Sequence, residues 1–497
     1  MKRFLFLLVA LALSATMAMA QSTFSVGDLN YRVNDDAVSV TVTGHVNGTS
    51  AMGELTIPES VSYGGNDFAV TAIGNDAFSG CTSLSGDLVI PNSIISIGDN
   101  AFYYCYGFMG TLTLGNSLVF IGDNVFLYCT YLTGELTLPN TLTTIGDAAF
   151  AYCYGLIGDL VIPDSVTHIG ESAFQICSGF DGSLTLGNSV TYLGDYAFNS
   201  CENLKGVLYI PSGVETLGGN TFGYCAFDGI VVDPENSVYD SRNDCNAIIV
   251  TSTNELITGC RSTIIPNTVT AIGMNAFRGC NGLTSIHIPH SVTSIGENAF
   301  AFCHNLMGDL AIPNAVTTIG ASAFFDCSNL NGTLSIGESV SFIGDMAFRN
   351  CSGFAEAVTL AVAPPTLGNE WGGLAFYNFG APSLIVPCGC EAAYQNSDWY
   401  DPTGMYGFWE FIEDCDAVEE IGSAAPEVYP NPTDGKIRIE AEGIRRVSIF
   451  NVLGSNIFEG AIEGDAFEYD FRQHGVGVYL IKVVTAKGVV TKRVVVK

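Results

Sequence analysis

The feature that most constrains this chain is a phenylalanine that returns at a fixed interval. Within the pattern Ala-Phe-x-x-Cys it recurs every 24 residues, and after a gap the series resumes at intervals of 23 or 24. The positions are Phe78, Phe102, Phe126, Phe150, Phe174, Phe198, Phe222, Phe277, Phe300, Phe324 and Phe348. Such a period is typical of stacked repeats, each of which buries its apolar face only against its neighbours. The chain is therefore predicted to form a solenoid.

One repeat, called a coil below, combines two kinds of periodicity. The stretch DLVIP alternates apolar and polar residues as a short strand does, and Pro91 ends it. The stretch SIISIG reads as a second extended segment that ends at Gly98. The stretch DNAFYYC fits one or two helical turns, with Asp99 near the positive end of the helix. A coil is thus predicted to be strand, extended segment and short helix.

Changes in composition along the chain predict its domain organisation. Residues 21–57 precede the repeats and are expected to cap the first coil, and the solenoid should occupy residues 58–355. An irregular, hairpin-like insert is expected at about 226–262, where one Phe is 55 residues from the next. Residues 356–415 are expected to form the opposite cap, followed by a linker at 416–426.

Charge excludes two classes of partner. The formal net charge is −32, and residues 21–426 hold 6 Lys and Arg against 41 Asp and Glu. A nucleic-acid binder needs a basic surface to neutralise phosphates, and an anionic membrane would repel this body. We therefore expect no nucleic-acid partner.

The first 20 residues have the pattern of a secretory signal peptide. Lys2 and Arg3 precede an apolar run, and small residues end at Ala20, before a predicted cleavage site at Gln21. A short amino-terminal membrane anchor is the alternative. No later apolar stretch is long enough for a membrane span, so the mature chain is predicted to have no transmembrane segment.

The repeat resembles the bacterial surface-antigen class of leucine-rich repeats called BspA-like, or LRR_5. The resemblance rests on the pattern L-x3-L-x-I-P-x2-V-x2-I-G-x2-A-F-x2-C and covers about residues 50–355. Many coils are longer than the common 23-residue family repeat by one glycine-containing step, as at Gly86 and Gly110. This resemblance implies a mainly β leucine-rich repeat solenoid with short helices, and adhesion to host or neighbouring-cell proteins.

Residues 427–497 resemble the type IX (Por) secretion sorting domain of the Bacteroidetes. The matching residues are Tyr429, Pro430, Asn431, Pro432, Gly435, Gly477 and Tyr479. A generic β domain is the alternative, because the segment also reads as a small all-β sandwich. The resemblance implies that type IX secretion machinery is a partner. It also implies export to the outer cell surface or the medium, after which the tail is usually removed.

Cysteine spacing leaves several pairings open. Eleven of the 16 cysteines share one repeat position, three residues after the Phe. They are predicted to be buried free thiols, because helices in adjacent coils should lie about 8–10 Å apart, too far for disulfides. Cys245 with Cys260, and Cys415 with Cys388 or Cys390, are plausible bridges. A metal or redox site at Cys388-Gly-Cys390 is less well supported.

Neither the acidic residues nor the histidines form a pattern that predicts catalysis. An acidic residue follows the repeat glycine at Asp99, Asp123, Asp147, Glu171 and Asp195. One carboxylate per coil provides too few ligands for calcium, so helix capping is preferred. The six histidines include no H-E-x-x-H pattern. We therefore predict no catalytic residue, no metal and no cofactor, and a protein that is not an enzyme.

Two surfaces are candidates for binding macromolecules. The outward positions of the first strand include Thr113, Thr137, Thr185 and Tyr209, which would offer a sheet to an extended protein. The chain is accordingly predicted to be an adhesin-like protein–protein interaction scaffold with an extracellular or host protein as partner. The alternative is glycan binding by an exposed tyrosine-rich edge that includes the three residues Tyr104, Tyr128 and Tyr152.

Overall fold

The computed structural model describes most of the chain. The described residues are 22–368, 374–401, 407–408, 410–414, 427–429, 433, 435–451, 456–474, 477–485 and 488–496. The predicted signal peptide lies outside them, as do Pro430, Asn431, Pro432 and Cys415. The chain divides into two compact units, residues 1–386 with 392–412, and residues 387–391 with 413–497.

Strands in the described ranges are short except at the two ends of the chain. From β1 to β20 they are Thr23–Val26, Leu29–Val33, Ser39–His45, Met52–Glu54, Ser60–Tyr63, Asn66–Ile73, Ser83–Ser85, Leu88–Val89, Ser96–Ile97, Leu112–Thr113, Phe120–Ile121, Gly134–Glu135, Thr144–Ile145, Leu156–Ile157, Leu160–Val161, His168–Ile169, Leu184–Thr185, Tyr192–Leu193, Val207–Ile210 and Thr216–Leu217. From β21 to β39 they are Gly229–Val232, Tyr239–Asp240, Ala247–Val250, Glu255–Gly259, Ala271–Ile272, Ser294–Ile295, Leu310–Ile312, Thr318–Ile319, Thr333–Ile336, Phe342–Ile343, Glu356–Thr359, Thr366–Leu367, Ser383–Pro387, Glu410–Asp414, Glu427–Tyr429, Lys436–Asn451, Asn456–Asp470, Gly477–Thr485 and Gly488–Val496. Helical segments are 3₁₀ turns at Gly48–Ser50 and Arg242–Asp244 and the α-helix α1 at Glu391–Gln395.

The second extended segment of each coil builds the main sheet of the solenoid. Its strand order is β1-β2-β3-β6-β9-β11-β13-β16-β18-β20, with β5 beside β6. The strands β1 to β3 pair antiparallel, whereas each later coil adds one parallel strand. A second sheet of eight strands, from β22 to β32, repeats this arrangement beyond the insert. The predicted solenoid is confirmed.

The first strand of each coil forms a less continuous surface. Before the insert it occurs in two-stranded pairs such as β8 with β10 and β15 with β17, and beyond the insert it contributes to the five-stranded sheet β27-β29-β31-β33-β34. The extra glycine of each coil lies just before this first strand and serves one of two purposes. Gly86 has a φ of +81°, which favours glycine, whereas a Cβ on Gly110 would lie 2.3 Å from the Asp87 carboxylate. The glycines therefore allow either a left-handed turn or close approach of adjacent coils.

The predicted helical turns are wrong, because this side of each coil is a series of tight turns. Asn100 and Tyr104 have φ of 56° and 59°, in the left-handed region. The N–H groups of Asn100, Phe102 and Tyr104 donate to carbonyl groups of the next coil at 2.8–2.9 Å. An α-helix would use these N–H groups inside its own coil. The turns instead join each coil to the next through the backbone.

The repeated phenylalanines form the centre of the core. Their rings stack from coil to coil, with centroids 5.2 Å apart for Phe78 and Phe102 and 5.1 Å apart for Phe150 and Phe174. The stack does not stop at Phe348, because Phe376 lies 5.4 Å beyond it and the Phe348 N–H bonds the Ala375 carbonyl. The segment predicted as the C-terminal cap thus begins with one more, irregular coil.

The insert keeps the coils on its two sides in contact. On the turn side the Tyr224 N–H donates to the Arg278 carbonyl at 3.1 Å, so the ladder bypasses the insert. On the strand side the main sheet ends at β20, where the Leu217 N–H donates to the Tyr239 hydroxyl at 3.0 Å. Strands β22, β23 and β24 then form an antiparallel meander that begins the second sheet.

The second unit contains one five-stranded antiparallel sheet of β35, β36, β37, β38 and β39. The long strands β36 and β37 pair along most of their length, with register shifts between Glu440 and Ile444. Strand β35 pairs with β36 before this irregularity, and β38 pairs with β36 beyond it. Side chains from both halves, including Ile439, Val447 and Ile481, share one buried core.

Candidate functional site

The predicted strand row is exposed but discontinuous. Thr113, Thr137, Thr185 and Tyr209 are all exposed, and Thr113 is in register with Val89. The row also contains apolar side chains, because Val89, Val161 and Val207 are 49%, 50% and 58% exposed. The Tyr209 hydroxyl bonds the carboxylate of Asp233 in the next coil. The surface is therefore more apolar than the threonines indicated.

A longer and more regular row lies on the main sheet, where sequence analysis placed no site. In strict register it presents Ser96, Phe120, Thr144, His168, Tyr192 and Thr216. Phe120 is 41% exposed, and the His168 and Tyr192 rings stack with centroids 4.4 Å apart. The sequence signal is present, since an aromatic side chain occupies the outward position before the repeat [IL]-G three times in this row and once more, at Phe342, in the second sheet.

The tyrosine-rich edge is a stack across three coils. Ring centroids are 4.6 Å apart for Tyr104 and Tyr128 and 4.4 Å apart for Tyr128 and Tyr152. Tyr103 and Tyr154 pack edge-on against the two ends of this stack. Each tyrosine of the stack is in the left-handed region, with φ of 59–62°. Both faces of the Tyr128 ring are covered, so the stack presents mainly ring edges and hydroxyl groups.

Burial affects the acidity of these phenols. It is the main cause of the raised pKa of Tyr128, and it also raises the pKa of Tyr103 and Tyr154. An ordinary tyrosine pKa is already about 10. The hydroxyl groups therefore stay protonated at neutral pH and can donate hydrogen bonds.

The row of acidic residues after the repeat glycine joins adjacent coils, so the helix-capping prediction is wrong. The Asp99 carboxylate accepts from the Asp123 N–H at 3.0 Å, and Asp123 accepts from the Asp147 N–H at 2.8 Å. Asp147 accepts from the Glu171 N–H at 2.7 Å. There is no helix here to cap. Asp99, Asp123, Asp147 and Asp195 each satisfy a backbone donor one coil further along instead.

A second acidic row behaves in the same way beside the strand row. Asp87 accepts from the Thr111 N–H at 2.6 Å and from the Thr111 hydroxyl at 3.0 Å. These two bonds lower the pKa of Asp87. Asp309 occupies the same repeat position and accepts from the Thr333 N–H at 2.8 Å.

The repeat cysteines are free, as predicted, but helix packing is not the cause, because this side of the coil contains turns. Adjacent coils are hydrogen-bonded through their backbones rather than separated by helix packing. The Cys105 thiol lies 2.9 Å from the Phe78 carbonyl, to which it donates, and Cys129 and Cys153 repeat this contact one and two coils later. Burial raises the pKa of Cys105 to about 12. These thiols are structural donors with little thiolate character.

The off-register cysteines differ from one another. Cys245 and Cys260 are both free and buried, so the bridge considered between them is not formed. The Cys260 thiol instead donates to the Asn246 carbonyl at 3.3 Å. Cys388 is disulfide-bonded and Cys390 is free. The predicted pairing with Cys415 concerns a residue outside those described.

Two features of the described residues bear on the type of site. In that part of the chain, no group of three or more His, Cys, Asp and Glu side chains is placed to hold a metal ion. None of the helices in the described ranges has the length and apolar character needed to span a membrane.

The described residues of the sorting motif lie at the start and end of the tail sheet. Tyr429 pairs with Arg438, whose guanidinium lies 2.6 Å from Glu440 and 3.0 Å from Glu468. A Cβ on Gly435 would lie 2.7 Å from the Arg472 side chain. Tyr479 is buried, and its hydroxyl donates to the His474 carbonyl at 2.7 Å.

The fold and the contacts between coils define a class of protein. Short parallel strands, one stacked Phe per coil and ladders of side chains between coils are the architecture of a leucine-rich repeat solenoid. The family model described as BspA type leucine rich repeat region matches residues 49–181, 182–245 and 255–363, in six copies. Because these ranges cover more than half of the 497 residues, the chain belongs to this family.

The tail has its own match. Residues 427–497 match the model described as secretion system C-terminal sorting domain. The tail therefore indicates type IX secretion to the cell surface or the exterior. Family and tail together define a leucine-rich repeat surface protein with a type IX sorting domain.

Solved structures support the same fold. A leucine rich cell surface protein from Faecalibacterium prausnitzii is 26% identical, with a TM-score of 0.55 over 68% of this chain and 94% of that one. The pneumococcal vaccine antigen PcpA is 20% identical, with a TM-score of 0.52 over 74% of this chain and 88% of that one. Comparison with curated proteins found no match.

Proposed function

We propose that this protein is a secreted or surface-attached adhesin-like scaffold that binds an extended segment of an extracellular or host protein. The observation that carries the proposal is the uninterrupted register row on the main sheet, from Ser96 to Thr216. Phe120 and Tyr192 are exposed and His168 is half-buried, and aromatic side chains on such a surface are suited to anchoring a protein partner. No catalytic step is proposed.

The predicted strand row remains a second possible location for the same function. Thr113, Thr137 and Thr185 are exposed on the other strand of each coil, beside Val89 and Val161. Threonine hydroxyls can bond a polypeptide, and the valines add apolar area. The two rows belong to different strands of each coil, so they can be tested separately.

Export is proposed to use the predicted signal peptide at residues 1–20 and then the type IX machinery acting on residues 427–497. The acidic body, with 41 Asp and Glu, would be delivered outside the outer membrane. Removal of the tail would leave the mature protein either attached to the surface or released.

Glycan binding at the tyrosine edge is the second candidate. It is supported by the row of phenol groups at Tyr104, Tyr128 and Tyr152, since phenol hydroxyls can donate to sugar hydroxyls. It is weakened by the stacking of the three rings on one another, which covers the faces that would pack on a sugar.

The test is binding of the full-length chain to an array of extracellular-matrix proteins and glycans, repeated with three multiple variants. The first is F120S/H168S/Y192S, the second T113A/T137A/T185A and the third Y104A/Y128A/Y152A. We expect saturable protein binding that the first variant weakens at least tenfold, the magnitude expected for loss of one or more anchors. Loss of protein binding in the second variant alone would move the site to the strand row. Glycan binding alone, lost in the third, would contradict the proposal, as would no binding at all.

A further inference from the structure

Two adjoining cavities lie where the amino-terminal strands meet the first coils. One has a volume of about 560 Å³ and is lined by residues that include Glu54, Asp87, Val89 and Met109. The other, of about 490 Å³, is lined by residues that include Asp28, Met52 and Glu54. They share Glu54, Leu55 and Thr56, so they form one groove, called the N-terminal groove below.

The groove has exposed apolar side chains of an adaptable kind. Met52 is 77% exposed and Met109 is 68% exposed, although both side chains are large and apolar. Methionine is flexible and polarisable, and it is common on surfaces that accept varied apolar partners. Val89, also in the lining, is 49% exposed and continues into the strand row through its partner Thr113. The groove therefore offers solvent-exposed apolar side chains to a partner.

The formal charges of the groove are carboxylates, and one imidazole, His45, also lines it. Asp28, Glu54 and Asp87 line it, and no Lys or Arg does. Asp87 is fixed by its two bonds from Thr111, and Glu54 lies over Gly86, where an added Cβ would meet its side chain at 3.3 Å. The surroundings reinforce this field, because residues 22–204 contain 18 Asp and Glu and the single basic residue Arg32.

We propose that the N-terminal groove binds a basic, extended protein segment in which Lys or Arg residues alternate with apolar residues. Apolar side chains of the segment would pack on Met52, Met109 and Val89. Its cationic groups would pair with Glu54, Asp87 and Asp28, and the acidic first half of the solenoid would attract it from a distance. This inference rests on the proposed protein-binding function and specifies one class of partner and one place.

The repeat supplies a matched control. Asp309 and Met307 occupy the repeat positions of Asp87 and Met109, and Met307 is 50% exposed. Neither residue lines the N-terminal groove. An asparagine at either acidic position keeps an oxygen that can accept the next coil's N–H, so the charge can be removed while this hydrogen bond is kept.

The experiment measures binding of labelled short peptides to the full-length chain by fluorescence anisotropy at low and high salt. The probe alternates Lys and Leu, and its controls replace Lys by Gln or Leu by Ser. The chain variants are E54Q/D87N, M52S/M109S and the control M307S/D309N, each checked for an unchanged melting temperature.

We expect the Lys–Leu peptide to bind at least tenfold more tightly than either control peptide. E54Q/D87N should weaken binding about fivefold at low salt and less at high salt, as expected for two partly exposed ion pairs. M52S/M109S should weaken it at both salt concentrations, and M307S/D309N should bind like the unchanged chain. Equal loss in the control variant, tighter binding of the Gln–Leu peptide, or self-association in place of peptide binding would overturn the inference.

The two proposals can fail separately. If an array protein binds through the main-sheet row while the groove variants change nothing, the groove inference fails and the proposed function remains. If the array shows no ligand but the Lys–Leu peptide binds in the groove-dependent manner described, the adhesin proposal fails and the groove remains a peptide-binding site.

Discussion

The turn side and the strand side of each coil differ in how continuously they are bonded. On the turn side, backbone bonds join every consecutive pair of coils and even bypass the insert, through Tyr224 and Arg278. On the strand side, the main sheet is interrupted at β20, and the first strands form isolated pairs up to β21 and a five-stranded sheet from β27 to β34. The comparison teaches that the turn side continues directly from the coil before the insert to the coil after it, whereas the strand side passes through strands of the insert itself.

The largest expected effect concerns the buried thiols of the turn side. Burial raises the pKa of Cys105, Cys177 and Cys280 to about 12, from an ordinary value of 9.0. A thiol with a raised pKa holds its proton more tightly in the folded chain. Its contribution to stability is therefore complete below pH 9 and is lost as the pH rises toward about 12. Circular dichroism between pH 8 and pH 12 should show cooperative loss of the solenoid.

Tyrosine phenols titrate in the same range, so a cysteine variant is needed as the control. C105A/C129A/C153A should be less stable than the unchanged chain at pH 7, because three S–H donors are lost. It should nevertheless lose less stability between pH 9 and pH 12. An identical alkaline loss in both proteins would assign the transition to tyrosines.

The next largest effect compares a core ring with a surface ring. Phe150 is fully buried between Phe126 and Phe174, so F150A should lower the free energy of unfolding by about 3–5 kcal/mol. Phe120 is 41% exposed on the main sheet, and F120A should change the free energy of unfolding by no more than about 0.5 kcal/mol. Urea denaturation of the two variants measures both changes in the free energy of unfolding. Similar losses would mean that the main-sheet row is structural rather than free for binding.

A smaller effect is expected from the carboxylates between coils. D147A removes the acceptor of the Glu171 N–H, and we expect a loss of about 1 kcal/mol. D147N keeps an acceptor oxygen and should be nearly neutral. The chain itself uses asparagine at this repeat position, where Asn75 accepts from the Asp99 N–H at 3.1 Å. Equal losses in both variants, measured by urea denaturation, would show that charge rather than hydrogen bonding is important.

The smallest effect tests the left-handed turns. Ile176 has a φ of 59°, which is unfavourable for a β-branched residue, and Asn350 at the same repeat position has a φ of 61°. I176N should raise the free energy of unfolding by about 0.5 kcal/mol, since asparagine tolerates this conformation better. The matched control Y152N replaces a stacked ring and should not stabilise. Thermal denaturation of both variants provides the comparison.

Sequence patterns predicted the repeated elements well and their local conformation less well. The spacing of Phe102 and Cys105 fits a helical turn, and only the recurrence of asparagine at positions such as Asn100, Asn124 and Asn298 indicated left-handed residues. The candidate binding surfaces were predicted in part. The alternation of the first strand predicts its outward threonines, whereas Phe120, His168 and Tyr192 each lie on a two-residue strand, which is too short to show a clear alternation.

The sequence by itself determined that this chain stacks, because a 24-residue period with one Phe, one Cys and one Gly per coil has no other way to bury its apolar residues. It also determined the family and the sorting tail. Only the tertiary structure decided which backbone groups join the coils, how the insert is bypassed and where a groove forms. Those features depend on contacts between residues 24 or more positions apart, which a pattern within one coil cannot specify.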